Sequence, residues 1–242
     1  MKTKITYRQF LVSVLTFNVL LFFATLVNAT ESDATKTFDV SGFDKLSLGS
    51  AFKITVTKGN FSVKVAGRQE DIDELEANVS GGKLKIKFKN QKMNNWNNNR
   101  KRVDVTISMP SLKGLDFSGA TTSKVSGFDD LSTLDLEISG ASSSEISVKA
   151  DKINVNISGA STVNLSGNGQ TLQGDISGAT SFRAYDYAVK DVDLEVSGAS
   201  TAKVNASGSI KVEANGASSV RYKGTATIRS NTSGASSIKS DS

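Results

Sequence analysis

Any chemistry in this chain has to be sought among carboxylates and cations, because its 242 residues include no histidine and no cysteine. That removes the Ser-His and Cys-His nucleophile pairs and the usual ligands of zinc and copper. Asp129, Asp130, Asp191 and Asp193 are the acids to weigh for cleavage of a polysaccharide, and hydrolysis needs two carboxyl groups about 5 to 9.5 Å apart across a cleft. Their positions read more naturally as rung turns and outward strand residues. A second constellation runs from Asn90 to Arg102 (NQKMNNWNNNRKR), where the only tryptophan, Trp96, sits beside Arg100, Lys101 and Arg102. An aromatic platform among amides and cations can stack on a sugar ring or hold an anionic polymer, so these four are the candidate ligand-binding residues. The plainer reading is a mobile polar hairpin tip. Neither constellation calls for a cofactor or a metal.

The chain opens on Lys2, Lys4 and Arg8, followed by an apolar run from Phe10 to Val27 that exits through Val27-Asn28-Ala29. A basic start, a greasy middle and small residues at the exit predict a secretory signal over 1–29, cleaved after Ala29. The alternative is an uncleaved anchor, which Ser13, Thr16 and Asn18 weaken by diluting the run. Without cysteine there is no lipid-acceptor thiol and no disulfide, so the expectation is an exported protein that is not a lipoprotein and is held together by packing and ladder hydrogen bonds. The formal charge of +5 overstates the basic character, since three of the 29 basic residues lie in that leader. The remainder is close to neutral, which predicts no general affinity for nucleic acid.

What positions these groups is a repeat. The pattern [Ser/Asn]-Gly-Ala-[Ser/Thr]-[Ser/Thr] starts at Ser118, Ser139, Ser158, Ser177, Ser197, Asn215 and Ser233, at intervals of 18 to 21 residues. Apolar residues alternate before each motif, as in Leu134, Leu136 and Ile138, and more briefly after it, as in Val163 and Leu165, which is the mark of strands with one buried face. The period leaves no room for a crossover helix beside two strands. The prediction is therefore all-β: a right-handed parallel β-helix, or solenoid, with one coil per repeat. The motif glycine suits a corner that needs positive φ, with the alanine expected to tuck inside the bend. From Lys36 to Met109 the chain is also strand-like, with turns at Gly59-Asn60 and Gly81-Gly82, and these strands are expected to cap the open end of the coil stack. The acidic stretch from Gln69 to Ala77 is long enough for a single helical turn.

Stacking also aligns the outward residues. Two positions before each motif stand Asp116, Glu137, Asn156, Asp175, Glu195, Glu213 and Asn231, an acidic stripe; six positions after its first residue stand Lys124, Glu145, Asn164, Arg183, Lys203, Arg221 and Lys239, a mostly basic one. The acidic stripe could collect calcium, but the Gly-Gly-x-Gly-x-Asp corner of calcium-binding rolls is missing, and simple solvation accounts for it. Between the stripes the paired hydroxyls of each motif form two further ladders, expected to bond turn backbone and one another.

The chain resembles the autotransporter adhesin head GIN domain family of exported bacterial β-helix proteins. The resemblance is carried by Phe38-Asp39-Val40-Ser41-Gly42-Phe43, by Phe52 to Gly59 (FKITVTKG), by Gly82 to Ile86 (GKLKI), by Pro110-Ser111-Leu112 and by the Ser-Gly-Ala series. It covers about 38–238, which implies one β-solenoid domain with its repeats beginning at 110, and the expected flanks are a flexible stretch over 30–37 and a tail over 239–242. It also implies an adhesin or surface-binding role without catalytic residues, with a glycan or an envelope or cell-surface component as partner. The expected location is the periplasm, the outer-membrane surface or the medium. A carbohydrate-active β-helix enzyme and an envelope sensory accessory protein are the competing readings.

Overall fold

Alternation of β-branched and aliphatic residues with polar ones, bounded by small turn residues, makes nearly every segment a strand with one dry face. The computed structural model describes residues 33–89 and 100–241. The Asn-rich stretch around Trp96 and the leader lie outside the described residues.

The strands before the repeats are β1 (Ala34–Phe38), β2 (Lys45–Leu48), β3 (Lys53–Lys58), β4 (Ser62–Gly67), β5 (Leu75–Ser80), β6 (Lys83–Phe88), β7 (Asp104–Met109) and β8 (Gly114–Phe117). A short helix, α1 (Gln69–Asp73), occupies the first half of the acidic stretch, whose second half is already strand. The repeats form β9 (Thr122–Ile138), β10 (Ser143–Ile157), β11 (Thr162–Ile176), β12 (Ser181–Val196) and β13 (Thr201–Ala214), followed by β14 (Ser219–Lys223), β15 (Thr227–Thr232) and β16 (Ser237–Ser240). Each of β9 to β13 runs from one Ser-Gly-Ala corner to the next and bends midway, with register shifts marking the bend between several neighbours.

Pairing from β9 to β16 is parallel throughout, one coil on the next. The chain is an all-β parallel solenoid. One wall stacks the first halves of the repeat strands and continues through β3, β7, β4 and β1; the other stacks the second halves and continues through β8, β2, β6 and β5. The antiparallel pairs β1 with β4, β4 with β7 and β5 with β6 close the N-terminal end. The coil made by β2 and β3 is inserted between the coil of β6 and β7 and the first repeat coil: β2 pairs with β6 and β8, and β3 with β7 and β9.

A single apolar column fills the interior, from Phe43 and Phe52 through Phe128, Ile157 and Phe182 to Val220. At the far end Ser230 and Thr232 are exposed where earlier coils carry aliphatic residues.

The corners differ from expectation in one respect. The motif alanines, Ala120 through Ala235, face outward and are exposed, while the next residue, Thr121, Ser142, Ser161, Thr180, Ser200 or Ser218, is buried. The glycine causes the inversion. At Gly159, for example, φ is +78°, so the chain reverses there, and its Cα lies so near the coil below that a Cβ would stand 2.4 Å from the Gly140 oxygen. The alanine amide then points along the stack, and Ala160 N donates to Gly140 O at 2.8 Å. The buried hydroxyls bond the corner backbone, as Ser161 Oγ does to Ser158 O at 2.9 Å and Thr180 Oγ1 to Ser177 O at 2.7 Å.

Candidate functional site

Parallel pairing without slippage at the strand starts turns sequence positions into rows. The register places Lys124, Glu145, Asn164, Arg183, Lys203, Arg221 and Lys239 side by side on the wall formed by the first halves of the repeat strands. Two positions further along the sequence stand Ser126, Ser147, Ser166, Tyr185, Asn205, Lys223 and Asp241, a second row that the pairing interrupts at Tyr185, since Ser166 lies beside Asp186 and Asn205 beside Ala188. Between the two rows runs an open groove of about 480 Å³, floored by Val125, Ile146 and Leu165 and bounded by Lys124, Glu145, Asn164, Arg183 and Lys203 on one side and by the three serines, Tyr185 and Asp186 on the other. Coils about 4.8 Å apart place a cation on one bank at Lys124, Arg183 and Lys203, with Glu145 and Asn164 between them, and hydroxyls on the other bank at Ser126, Ser147, Ser166 and Tyr185.

Tyr185 organises the C-terminal end of this groove. Its hydroxyl donates to Asp241 Oδ2, and Asp241 Oδ1 accepts from Arg221 Nη1 at 2.7 Å. The ammonium groups of Lys203 and Lys223 lie 5.5 and 5.1 Å from the Tyr185 ring centroid, within cation-π range. Burial of the phenol, reinforced by its bond to the Asp241 carboxylate, pushes the Tyr185 hydroxyl up to about 12. The same hydrogen bond, with Arg221 and Lys203, holds the Asp241 carboxyl below its ordinary value.

The opposite wall carries the acidic row, continuous in register from Asp116 to Asn231. Among the described residues no group of three or more His, Cys, Asp or Glu side chains is placed to hold a metal ion.

The four acids weighed for catalysis are not assembled. Asp130 pairs with Lys58 at 2.8 Å, Asp191 accepts from the Ser209 amide and hydroxyl, and Asp193 pairs with Lys211 at 3.2 Å. Asp129 and Asp130 lie on the bend of β9, three coils from Asp191 and Asp193 on β12, about 14 Å along the stack and beyond the reach of a glycosidase pair.

Of the residues singled out in the basic loop, Trp96 lies outside the described residues. Arg100, Lys101 and Arg102 line a depression of about 360 Å³ with Phe88 and the corner residues Ser50, Ala51 and Ala120. The Arg100 guanidinium stacks 4.2 Å from the Phe88 ring centroid, the Lys101 amide donates to the buried Asp71, and Arg102 donates to Thr122 Oγ1. The lysines of β6 emerge opposite their apolar neighbours: Lys83, Lys85 and Lys87 are exposed while Leu84, Ile86 and Phe88 are buried.

Tyr185 was not singled out from the sequence, although a signal exists. The same repeat offset holds serine in the three preceding coils, and an aromatic residue breaks that pattern.

The pattern of strands and corners over residues 42–226 matches the family described as putative auto-transporter adhesin, head GIN domain. The chain belongs to this family. No curated protein matches it. Among solved structures the head GIN fold recurs in a putative adhesin from Bacteroides fragilis, with a TM-score of 0.78 and 22% identity over 88% of this chain and 98% of that one. It recurs in a putative lipid binding protein from Parabacteroides distasonis, with a TM-score of 0.65, 18% identity and the same two coverages. A putative adhesin from Parabacteroides merdae gives a TM-score of 0.64 at 15% identity, again over 88% of this chain and 98% of that one. At such identities the likeness is one of fold. Among the described residues no helix is long and apolar enough to cross a membrane.

Proposed function

We propose that this head GIN domain is exported by its leader over 1–29 and acts without catalysis as an adhesin-like surface protein, binding acidic glycans along the groove between its two outward rows. The observation that carries this reading is the groove itself, with Lys124, Arg183 and Lys203 along one bank and Ser126, Ser147 and Ser166 along the other. Ammonium and guanidinium groups meet carboxylates, and hydroxyls meet sugar hydroxyls, at a repeat set by the coil. Asn164 and Glu145 add an amide and a carboxylate to the same bank, which suits neutral sugar oxygens and hydroxyls and opposes a uniformly phosphorylated strand. The groove is open and shallow, as a site for an extended polymer has to be. Trp96, Arg100, Lys101 and Arg102 are a second contact surface in this reading, whose three cations line the depression beside Phe88.

The test is a binding screen of the chain from Thr30 against acidic and neutral polysaccharides, with anionic phospholipid vesicles as the competing arm. Saturable binding to acidic glycans is expected, about tenfold weaker in an Arg183→Ser, Lys203→Ser double variant, since each exposed contact contributes up to about 1 kcal/mol. It weakens further as salt rises. Binding lost only when 90–99 is replaced by a Gly-Ser turn would move the site to the loop. Preference for vesicles, turnover of a polysaccharide, or the absence of glycan binding would overturn the reading.

A further inference from the structure

Four cations and two carboxylates, Asp186 and Asp241, stand at the C-terminal end of the groove. Arg183, Lys203 and Arg221 are consecutive members of the basic row, and Lys223 belongs to the hydroxyl row beside them. Among the described residues, no ion pair within 4.0 Å reaches Arg183, Lys203 or Lys223, and Arg221 pairs with Asp241 alone. Like charges about 4.8 Å apart repel one another, and the two carboxylates, Asp186 and Asp241, against four cations leave an excess of positive charge that an acidic ligand would complete.

Both oxygens of the Asp241 carboxylate are read separately. A neutral hydroxyl, from Tyr185, addresses Oδ2, and a guanidinium, from Arg221, addresses Oδ1. This divided recognition fits a planar carboxylate and holds its orientation. Asp241 is delivered from the stretch just after β16, a four-residue strand that pairs with β14 on one side, and its own amide donates to Tyr222 O at 2.7 Å. A carboxylate on so short an edge segment is held by few bonds and can be exchanged for another.

We infer that Tyr185, Arg221, Lys203 and Lys223 form a carboxylate-binding subsite of the groove, and that Asp241 fills it from within the chain as a stand-in for the carboxylate of an acidic sugar. The inference rests on the groove being a site for acidic glycans and makes it more specific: the ligand carries carboxylate rather than sulfate, and binding displaces the Asp241 side chain. An intramolecular competitor scales apparent affinity by the fraction of time it leaves the site free. For an exposed, charge-assisted contact that fraction corresponds to about a three- to tenfold effect.

The experiment is calorimetric titration of the chain from Thr30 with oligogalacturonate, with dextran sulfate as the sulfated comparison, for the parent, Asp241→Asn, and Asp241→Asn combined with Tyr185→Phe. Hydrogen exchange is followed over 237–241 in parallel. The expected result is about three- to tenfold tighter oligogalacturonate binding in Asp241→Asn and loss of that gain when the tyrosine hydroxyl is also removed. In the parent, exchange at the Asp241 amide quickens when the oligomer binds. Parent binding that Asp241→Asn leaves unchanged or weakens would overturn this inference while leaving the groove reading intact. Dextran sulfate bound by Asp241→Asn as tightly as the uronate would overturn the carboxylate assignment. If neither parent nor variant binds any acidic polymer, the groove reading fails and this inference with it.

Discussion

The phenol of Tyr187 donates a hydrogen bond to the carbonyl oxygen of Ala150, 2.9 Å away and two coils down the stack. Tyr187 is fully buried on the bend of β12, and the bond passes over Gly169, where a Cβ would stand 2.1 Å from the Ala150 oxygen and 2.3 Å from the phenol oxygen. An aromatic polar side chain is thus accommodated in an apolar column because the coil between supplies no side chain. Tyr187→Phe is expected to cost about 1 kcal/mol by leaving the carbonyl without its partner. Gly169→Ala should cost more, about 1 to 3 kcal/mol, by overpacking. Because both changes act on one contact, the double variant should fall short of their sum by at least about 0.5 kcal/mol. Urea unfolding midpoints of the four proteins measure the cycle.

Alkaline pH acts on the same bend and on the groove beside it. Tyr185 and Tyr187 are both pushed up to about 12, chiefly by burial, from an ordinary value of 10.0. The protonated phenol is the form the fold favours, so its contribution is complete below pH 10 and is lost as pH rises from 10 through about 12. Stability measured by urea unfolding should therefore hold to pH 10 and fall beyond it. A late phase of tyrosinate absorbance should accompany the fall and vanish in the Tyr185→Phe, Tyr187→Phe double variant.

Corner glycines separate two costs that usually arrive together. Gly42 and Gly159 have similar backbone angles, φ +74° and +78°, but a Cβ on Gly42 meets nothing within 4 Å while one on Gly159 meets the Gly140 backbone at 2.4 Å. Gly42→Ala should lose about 1 to 2 kcal/mol, the cost of a left-handed alanine. Gly159→Ala adds overpacking against backbone that cannot rotate away, for a total of about 2 to 5 kcal/mol. Equal losses in thermal or urea unfolding would mean that the stacked corners yield more readily than their spacing implies.

The buried corner hydroxyl is tested at Ser161. Ser161→Thr should be nearly neutral, since threonine occupies the equivalent corner at Thr121 and Thr180. Ser161→Ala removes the donor to Ser158 O and should cost about 1 kcal/mol. Ser161→Val keeps the volume of threonine without its hydroxyl, so its loss, read from the same unfolding curves, should be at least as large.

The coil stack could be read from the sequence because the same five residues recur at intervals that hardly change, and because parallel pairing then fixes every other row. Glu137, Asn156 and Asp175 could be aligned from their distance to the motif alone, and they pair as that distance requires. The inside-out corner could not be read this way. Alternation predicts a side only while the backbone stays extended, and a residue at positive φ resets the phase, so the alanine turns out and the following hydroxyl turns in. The first corner was hidden for a related reason: Ser50 and Ala51 take positive φ, 70° and 62°, without the glycine that marks the later corners. The groove was half legible. Its basic bank stood out by charge, whereas its other bank is made of serines that become a surface only once stacked, and Tyr185 matters through Asp241, 56 residues later.

The insertion of the β2 and β3 coil between later strands has a consequence for how the molecule is made. Each repeat strand from β9 onward meets a neighbour that precedes it in the chain, but β2 and β3 are flanked only by β6, β7, β8 and β9. As the chain leaves a ribosome or a translocation channel, this coil has no template until β6 arrives and stays open on its other side until Gly114 to Ser126 have emerged. From that point growth is vectorial, each new turn laid on a finished one. Residues 33–126 thus pair among themselves out of chain order, and the repeats that follow add to them in order.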